Sequence, residues 1–118
     1  MQLRGIRGAI SVKNDLSEEI CEATEKLLNE ILINNNLQIE DIASVFFTVT
    51  PDLKSCFPAN AARNLGWDLV PLLCSTEIPV AGSAEKTIRV LVHVNTLKTQ
   101  REIKHIYLND AKKLRPDL

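Results

Sequence analysis

The stretch Thr87-Ile88-Arg89-Val90-Leu91-Val92-His93-Val94-Asn95 decides the fold. Its even-numbered residues Ile88, Val90, Val92 and Val94 are all apolar, and Thr87, Arg89, Leu91, His93 and Asn95 fall between them. Side chains alternate across a strand, so this segment has one face suited to a core and one that is not. The even face is expected against helices. Arg89 is expected to point away from the core.

Working outward, Leu3 to Val12 reads as a first strand whose Gly5 and Gly8 suggest close approach by another backbone or a ligand. Its Gly5, Arg7, Ala9 and Ser11 continue the face of Arg89. A helix follows, with Asp15 and Glu18 resembling a capping box and Leu16, Ile20, Ala23, Leu27, Leu28, Ile31 and Leu32 on one face. Asn34-Asn35-Asn36 ends it. Ser44 to Thr50 is rich in β-branched and aromatic residues and stops at Pro51-Asp52, as a strand before a turn does. Pro58 suits a first helical position and Gly66 a stop, which frames a short second helix. Val70 to Cys74 reads as a short buried strand, and Val80-Ala81-Gly82-Ser83 as a loop. The order is β-α-β-α-β-β-β, an α+β fold with a five-stranded sheet and helices on one face. Two helices cannot cover both faces of such a sheet. The partly apolar second face is therefore expected to be a subunit interface in a closed homo-oligomer.

The 118 residues fit one domain spanning 1–118, without repeats, low-complexity tracts or linkers. Fourteen Lys and Arg balance fifteen Asp and Glu, so no global field directs the chain to nucleic acid or membranes, and any anion binding is local. No apolar run reaches the roughly 20 residues a membrane span requires. The opening Met1-Gln2-Leu3-Arg4-Gly5-Ile6-Arg7 lacks the apolar core of a signal peptide, so a cytoplasmic location is expected. Cys21, Cys56 and Cys74 are odd in number and widely spaced, which fits a reducing compartment better than a disulfide framework. His93 and His105 have no metal-ligand spacing with a cysteine and are read as structural.

The sequence carries no Gly-rich phosphate loop, no metal-ligand cluster and no convincing nucleophile and base. What remains is a scatter of arginines in apolar or small-residue settings, Arg4, Arg7, Arg63, Arg89 and Arg115, together with Cys74-Ser75-Thr76-Glu77. Such a set suits a small dianion.

These residues occur in an ordered series: Arg4-Gly5-Ile6-Arg7-Gly8-Ala9, Thr50-Pro51-Asp52-Leu53, Phe57-Pro58-Ala59 with Arg63, Gly66-Trp67 and Val70-Pro71. It continues through Cys74 with Glu77, Gly82, Ile88-Arg89-Val90, Ile106-Tyr107-Leu108 and Leu114-Arg115-Pro116-Asp117-Leu118. Over nearly its whole length the chain resembles the trimeric monofunctional α/β chorismate mutases, distinct from the all-helical class. The resemblance implies the chorismate mutase-like, bacillus-type fold: a mixed sheet that packs with two copies into a pseudo-barrel homotrimer, with active sites in the clefts between subunits. It implies a Claisen rearrangement of chorismate to prephenate on the way to phenylalanine and tyrosine, with no cofactor, metal or covalent intermediate. It assigns Arg89 to the ether oxygen, Arg7 and Tyr107 to carboxylates, and Glu77 and Cys74 to the ring hydroxyl. Phe57, Ala59 and Leu73 become apolar walls, Ser75 and Thr76 join the substrate-binding set, and Arg63 and Arg115 stand at the cleft mouth. Asn60 occupies a position where the family commonly has lysine, and Ala84 replaces a larger apolar residue.

Taken singly, these side chains have plainer readings. Arg7 and Arg89 read as ion-pair partners, Cys74 as a small buried hydrophobe, Glu77 as a loop acid, and Tyr107 and Phe57 as packed aromatics. Arg63 reads as a solvated helix residue and Arg115 as a tail charge. Two other functions fit a trimeric scaffold with clefts: a deaminase of reactive imines and enamines, and a non-catalytic sensor of a small anion. The spacing of Cys74 and Glu77 and the Arg7 and Arg89 pair disfavour the first. Arg89 disfavours the second.

Overall fold

A computed structural model describes residues 1–114. The elements run β1 (Gln2–Ser11), α1 (Ser17–Asn34), β2 (Ile42–Val49), α2 (Pro58–Asn64), β3 (Leu72–Thr76), β4 (Thr87–Thr96) and β5 (Ile106–Leu108), with 3-10 turns at Ile39–Asp41, Gln100–Glu102 and Asn109–Lys113. The expected order is observed. Boundaries differ slightly, since β1 begins and ends one residue early and β2 starts at Ile42 rather than Ser44.

The five strands form one mixed sheet in the order β3-β2-β4-β1-β5. β4 lies at its centre and pairs antiparallel with both β1 and β2, while β3 runs parallel to β2 and β5 parallel to β1. The alternation read from β4 holds on its core side. Ile88, Val90, Val92 and Val94 are buried against α1 and α2, together with Ile6 and Ile10 of β1 and Val45 and Phe47 of β2. From α1 the core takes Ile20, Leu27, Leu28 and Ile31, and from α2 Ala59 and Ala62. α2 begins with Pro58 at its first turn and ends before Gly66, whose φ of 88° is the left-handed conformation that glycine adopts without strain.

Gly8 lies directly beneath α1. A Cβ there would lie 3.0 Å from Ile31 Cδ1, 3.1 Å from Leu27 Cδ1 and 3.1 Å from Val90 Cγ1. Each neighbour is itself packed in the core and has little room to move.

Several expectations are corrected. The Asp15 and Glu18 capping box does not form, because Leu16 occupies the N-cap without a side-chain hydrogen bond. The Asp15 carboxylate turns instead to a different segment, accepting N–H bonds from Lys54 at 2.9 Å and Ser55 at 3.1 Å. Leu16, expected on the packed face, is exposed. β3 is an edge strand, not a buried one. Paired only with β2, it turns Leu72 and Cys74 toward the core and leaves Leu73 exposed. The open face is also narrower than read. Thr87 is buried, with its N–H donating to Thr50 Oγ1 at 3.0 Å, and Ala9 and Ser11 lie under the chain's last described turn. That turn is fastened by the Asp110 N–H on Ser11 Oγ and the Asn109 amide on the Ser11 carbonyl.

Two stability outcomes follow from this packing. Gly8→Val should overfill the gap beneath α1 and lower unfolding free energy by about 1–3 kcal/mol in urea melts; an unchanged midpoint would mean that α1 can lift away freely. The Asp15 carboxyl is held below its ordinary value of 3.8 chiefly by the Lys54 N–H. A carboxyl whose pKa falls on folding stabilises the folded chain above its unfolded pKa, and loses that contribution as pH drops through the lowered folded value. Asp15→Ala should therefore be less stable than the parent at neutral pH, with the gap narrowing below about pH 4. A gap of constant size into strong acid would contradict that coupling.

Candidate active site

The register of β4 fixes the site. Arg89 stands opposite Ala9 of β1 and Thr48 of β2, while Arg7 stands opposite Leu91, so the two arginines are diagonal neighbours on the open face. Strands hydrogen-bonded on both edges hold them there. Arg7 has a further restraint, since its N–H donates to His105 Nδ1 at 2.9 Å where the β1 and β5 ladder gives out. Tyr107 enters the same face from β5, opposite Ala9. Glu77 follows β3, and its N–H on the Val49 carbonyl at 2.8 Å fixes where the chain leaves the sheet.

Arg7, Glu77, Arg89 and Tyr107 converge on one cavity of about 470 Å³, with Phe46, Thr48, Leu91 and Leu114 completing the wall. Arg89 Nε lies 3.1 Å from Glu77 Oε1. With the Arg89 side chain 48% exposed, this ion pair adds little to stability. It does orient the guanidinium, and it uses one of five N–H donors, leaving the terminal nitrogens to meet an anion. The plain reading of Arg89 as an ion-pair partner and the reading of it as a ligand donor are thus both compatible with this geometry. A shared wall of two fixed arginines, one tyrosine hydroxyl and apolar side chains can bind and orient a compact dianion and exclude water from part of it.

The other sequence-derived residues lie elsewhere. Cys74, Ser75, Thr76 and Phe57 line a second cavity of about 400 Å³ with Cys56 and Asn60, at the β3 edge near the start of α2. Cys74 is opposite Phe47 and so belongs to the helix-side face, whereas Arg89 belongs to the open face. Phe57 is 69% exposed, so it is not the packed aromatic of the plain reading. Leu73 is exposed on the open face beside Phe46, its register partner. Ala59 is buried in the core at 5% exposure, which makes it a support for the wall more than its surface. Arg63 is exposed and donates to Asn60 Oδ1 at 2.9 Å. Arg115 lies outside the described residues.

Phe46, Thr48, Leu91 and His105 were not singled out by sequence reasoning as site residues. The parity of β2 held the signal for the first two, since Phe46 and Thr48 alternate with the buried Val45 and Phe47. His105 carried no local signal, because its partner is 98 positions away. Among the described residues, no group of three or more His, Cys, Asp or Glu could hold a metal ion.

The family model for chorismate mutase type I matches residues 3–118. The chain is 51% identical over 117 residues to a chorismate mutase of Thermus thermophilus, an alignment covering 98% of this chain and 96% of that protein. It is 44% identical over 119 residues to one of Bacillus subtilis, covering 100% and 94%. A solved chorismate mutase structure from Clostridium thermocellum superposes with a TM-score of 0.92 at 52% identity, covering 93% of this chain and 98% of that one. The chain therefore belongs to the type I chorismate mutase family.

Proposed function

We propose that this protein rearranges chorismate to prephenate, at the branch leading to phenylalanine and tyrosine, as a single-domain chain acting in a cytoplasmic homotrimer. The observation that carries the reading is the convergence of Arg7, Arg89, Glu77 and Tyr107 on one cavity of the open sheet face. The reaction is a unimolecular pericyclic step, so it requires no acid, base or nucleophile. The task is to hold the enolpyruvyl group over the ring and to stabilise charge as the ether bond breaks.

Negative charge grows on the ether oxygen and positive charge on the ring. Arg89 is the donor to that oxygen, an interaction strongest in the transition state and therefore effective on turnover. Arg7 grips one carboxylate through its planar fork, and Tyr107 donates to a carboxylate. Glu77 offsets the positive charge on the ring and, with Cys74, meets the ring hydroxyl. Phe57, Leu73 and the support of Ala59 restrict the substrate to its compact conformer, with Ser75 and Thr76 beside it. Arg63 gathers the substrate at the mouth.

Within one chain Cys74 and Glu77 line separate cavities, which does not bring both to one substrate. Two neighbouring copies supplying one cavity each resolve this, which supports clefts shared between subunits. The exposed Phe46, Leu73 and Leu91 of the open face support burial by such copies. No helix among the described residues is long and apolar enough to cross a membrane.

A chorismate absorbance assay with prephenate identified as product tests the activity directly, and turnover should survive chelator. Arg89→Lys keeps the charge but loses the fork, so turnover should fall about 10²- to 10³-fold with a smaller change in substrate affinity. A variant within about threefold of the parent, some 0.65 kcal/mol, would remove Arg89 from this role. Light scattering should return three times the 13.2 kDa chain mass. Co-refolding an inactive Arg89→Ala chain with an inactive Phe57→Asp chain should restore part of the activity, because mixed trimers contain clefts with both halves intact. Absence of any recovery in confirmed mixed trimers would argue that each chain builds its own site.

A further inference from the structure

Cys21 in α1 and Cys56 just before α2 are far apart in sequence, yet their sulfurs lie 3.4 Å from each other. Both are free and half-buried. The segments that carry them are already fastened together nearby, by the Lys54 and Ser55 N–H groups on the Asp15 carboxylate and by the Ser55 hydroxyl on the Asp15 carbonyl. Cys56 also lies in a chain of polar contacts: Arg63 donates to Asn60 Oδ1, and Asn60 Nδ2 points at the Cys56 sulfur from 3.6 Å. Neither thiol has a part in the proposed rearrangement.

We propose that Cys21 and Cys56 form a reversible oxidation site for low-molecular-weight disulfides, and that closing the bond pins the segment carrying Phe57 to α1. A disulfide of about 2.05 Å requires the sulfurs to approach by about 1.4 Å. Cys56 is the sulfur that attacks first, because it lines the open cavity while burial pushes the Cys21 thiol up to about 11. The Cys56 thiol gives its proton to solvent and its sulfur bonds to one sulfur of the small disulfide, expelling the other half as a thiolate that takes up a proton. Cys21 then loses its proton and attacks the Cys56 sulfur, expelling the second half likewise. Two protein thiols are oxidised to one disulfide and one small disulfide is reduced to two thiols, so two electrons are transferred with no further reactant.

The consequence lies in Phe57, the next residue and a wall of the cavity that also holds Cys74. Pulling Cys56 toward α1 draws Phe57 with it. A lower turnover on oxidation rests on the proposed function above; the bond and the pinning do not.

The experiment equilibrates the reduced full chain with oxidised glutathione and reads it by intact mass, peptide mapping, amide exchange and chorismate turnover. The expected product has lost two hydrogens, links the peptides holding Cys21 and Cys56, and leaves Cys74 alkylatable. Exchange across residues 54–60 should slow by roughly threefold or more, turnover should fall by about threefold or more, and dithiothreitol should reverse all three. In Cys21→Ser, glutathione should stay attached to Cys56 and appear as a mass gain. Three titratable thiols after equilibration, a bond to Cys74, or glutathione retained on parent Cys56 would each overturn the site. A bond that forms with exchange and turnover unchanged would overturn the pinning. Reduced protein without turnover would count against the proposed function alone, since mass and exchange still decide the thiol pair.

Discussion

β4 is hydrogen-bonded along both edges, to β1 and to β2, and this double pairing fixes the direction of every one of its side chains. A slip of one residue against either neighbour would drive Arg89 into the apolar layer and lift Val90 or Ile88 out of it. The same register that buries Ile88, Val90, Val92 and Val94 therefore positions Arg89 on the other face. Core packing penalises any misplacement of the Arg89 guanidinium. The accuracy of the site is a by-product of the stability of the sheet.

That arrangement suits a reaction without proton transfer. A donor on a central strand is aimed before substrate arrives, so little reorganisation is required as charge develops. Arg7 gains a comparable fix from the His105 ring, which accepts its N–H at the point where strand pairing ends. Glu77 stands at the exit from an edge strand, and its contact with Arg89 ties the loop acid to the central strand.

Where the sequence was legible, period and punctuation explain why. The alternation of Ile88 to Asn95, the helical stripe from Ile20 to Ile31 and the Pro58 to Gly66 frame each arise from local steric rules that a short window contains. Asp15 was misread because two partners were available to one carboxylate: the N–H groups of its own helix, and those of Lys54 and Ser55 some 39 and 40 positions away. Distance defeated the window. Val70 to Cys74 was misread for a different reason, since an apolar run does not say how many neighbours a strand has. The ordered motif series named Arg7, Glu77, Arg89 and Tyr107, and the structure brings those four together. Only the paired strands reveal that Phe57 and Cys74 open elsewhere.

The strand order also governs how the chain can be assembled. β1 leads the described elements, yet its two sheet neighbours are β4 and β5, paired through contacts such as Gln2 with Thr96 and Gly8 with Ile106. During synthesis β1 must wait, with both edges unsatisfied, until almost the whole chain has left the ribosome. Such distant pairings raise contact order and slow folding relative to a helical chain of the same length. Until then Ile6 and Ile10, which the finished fold buries in the core beside α1, lack the strands that flank them.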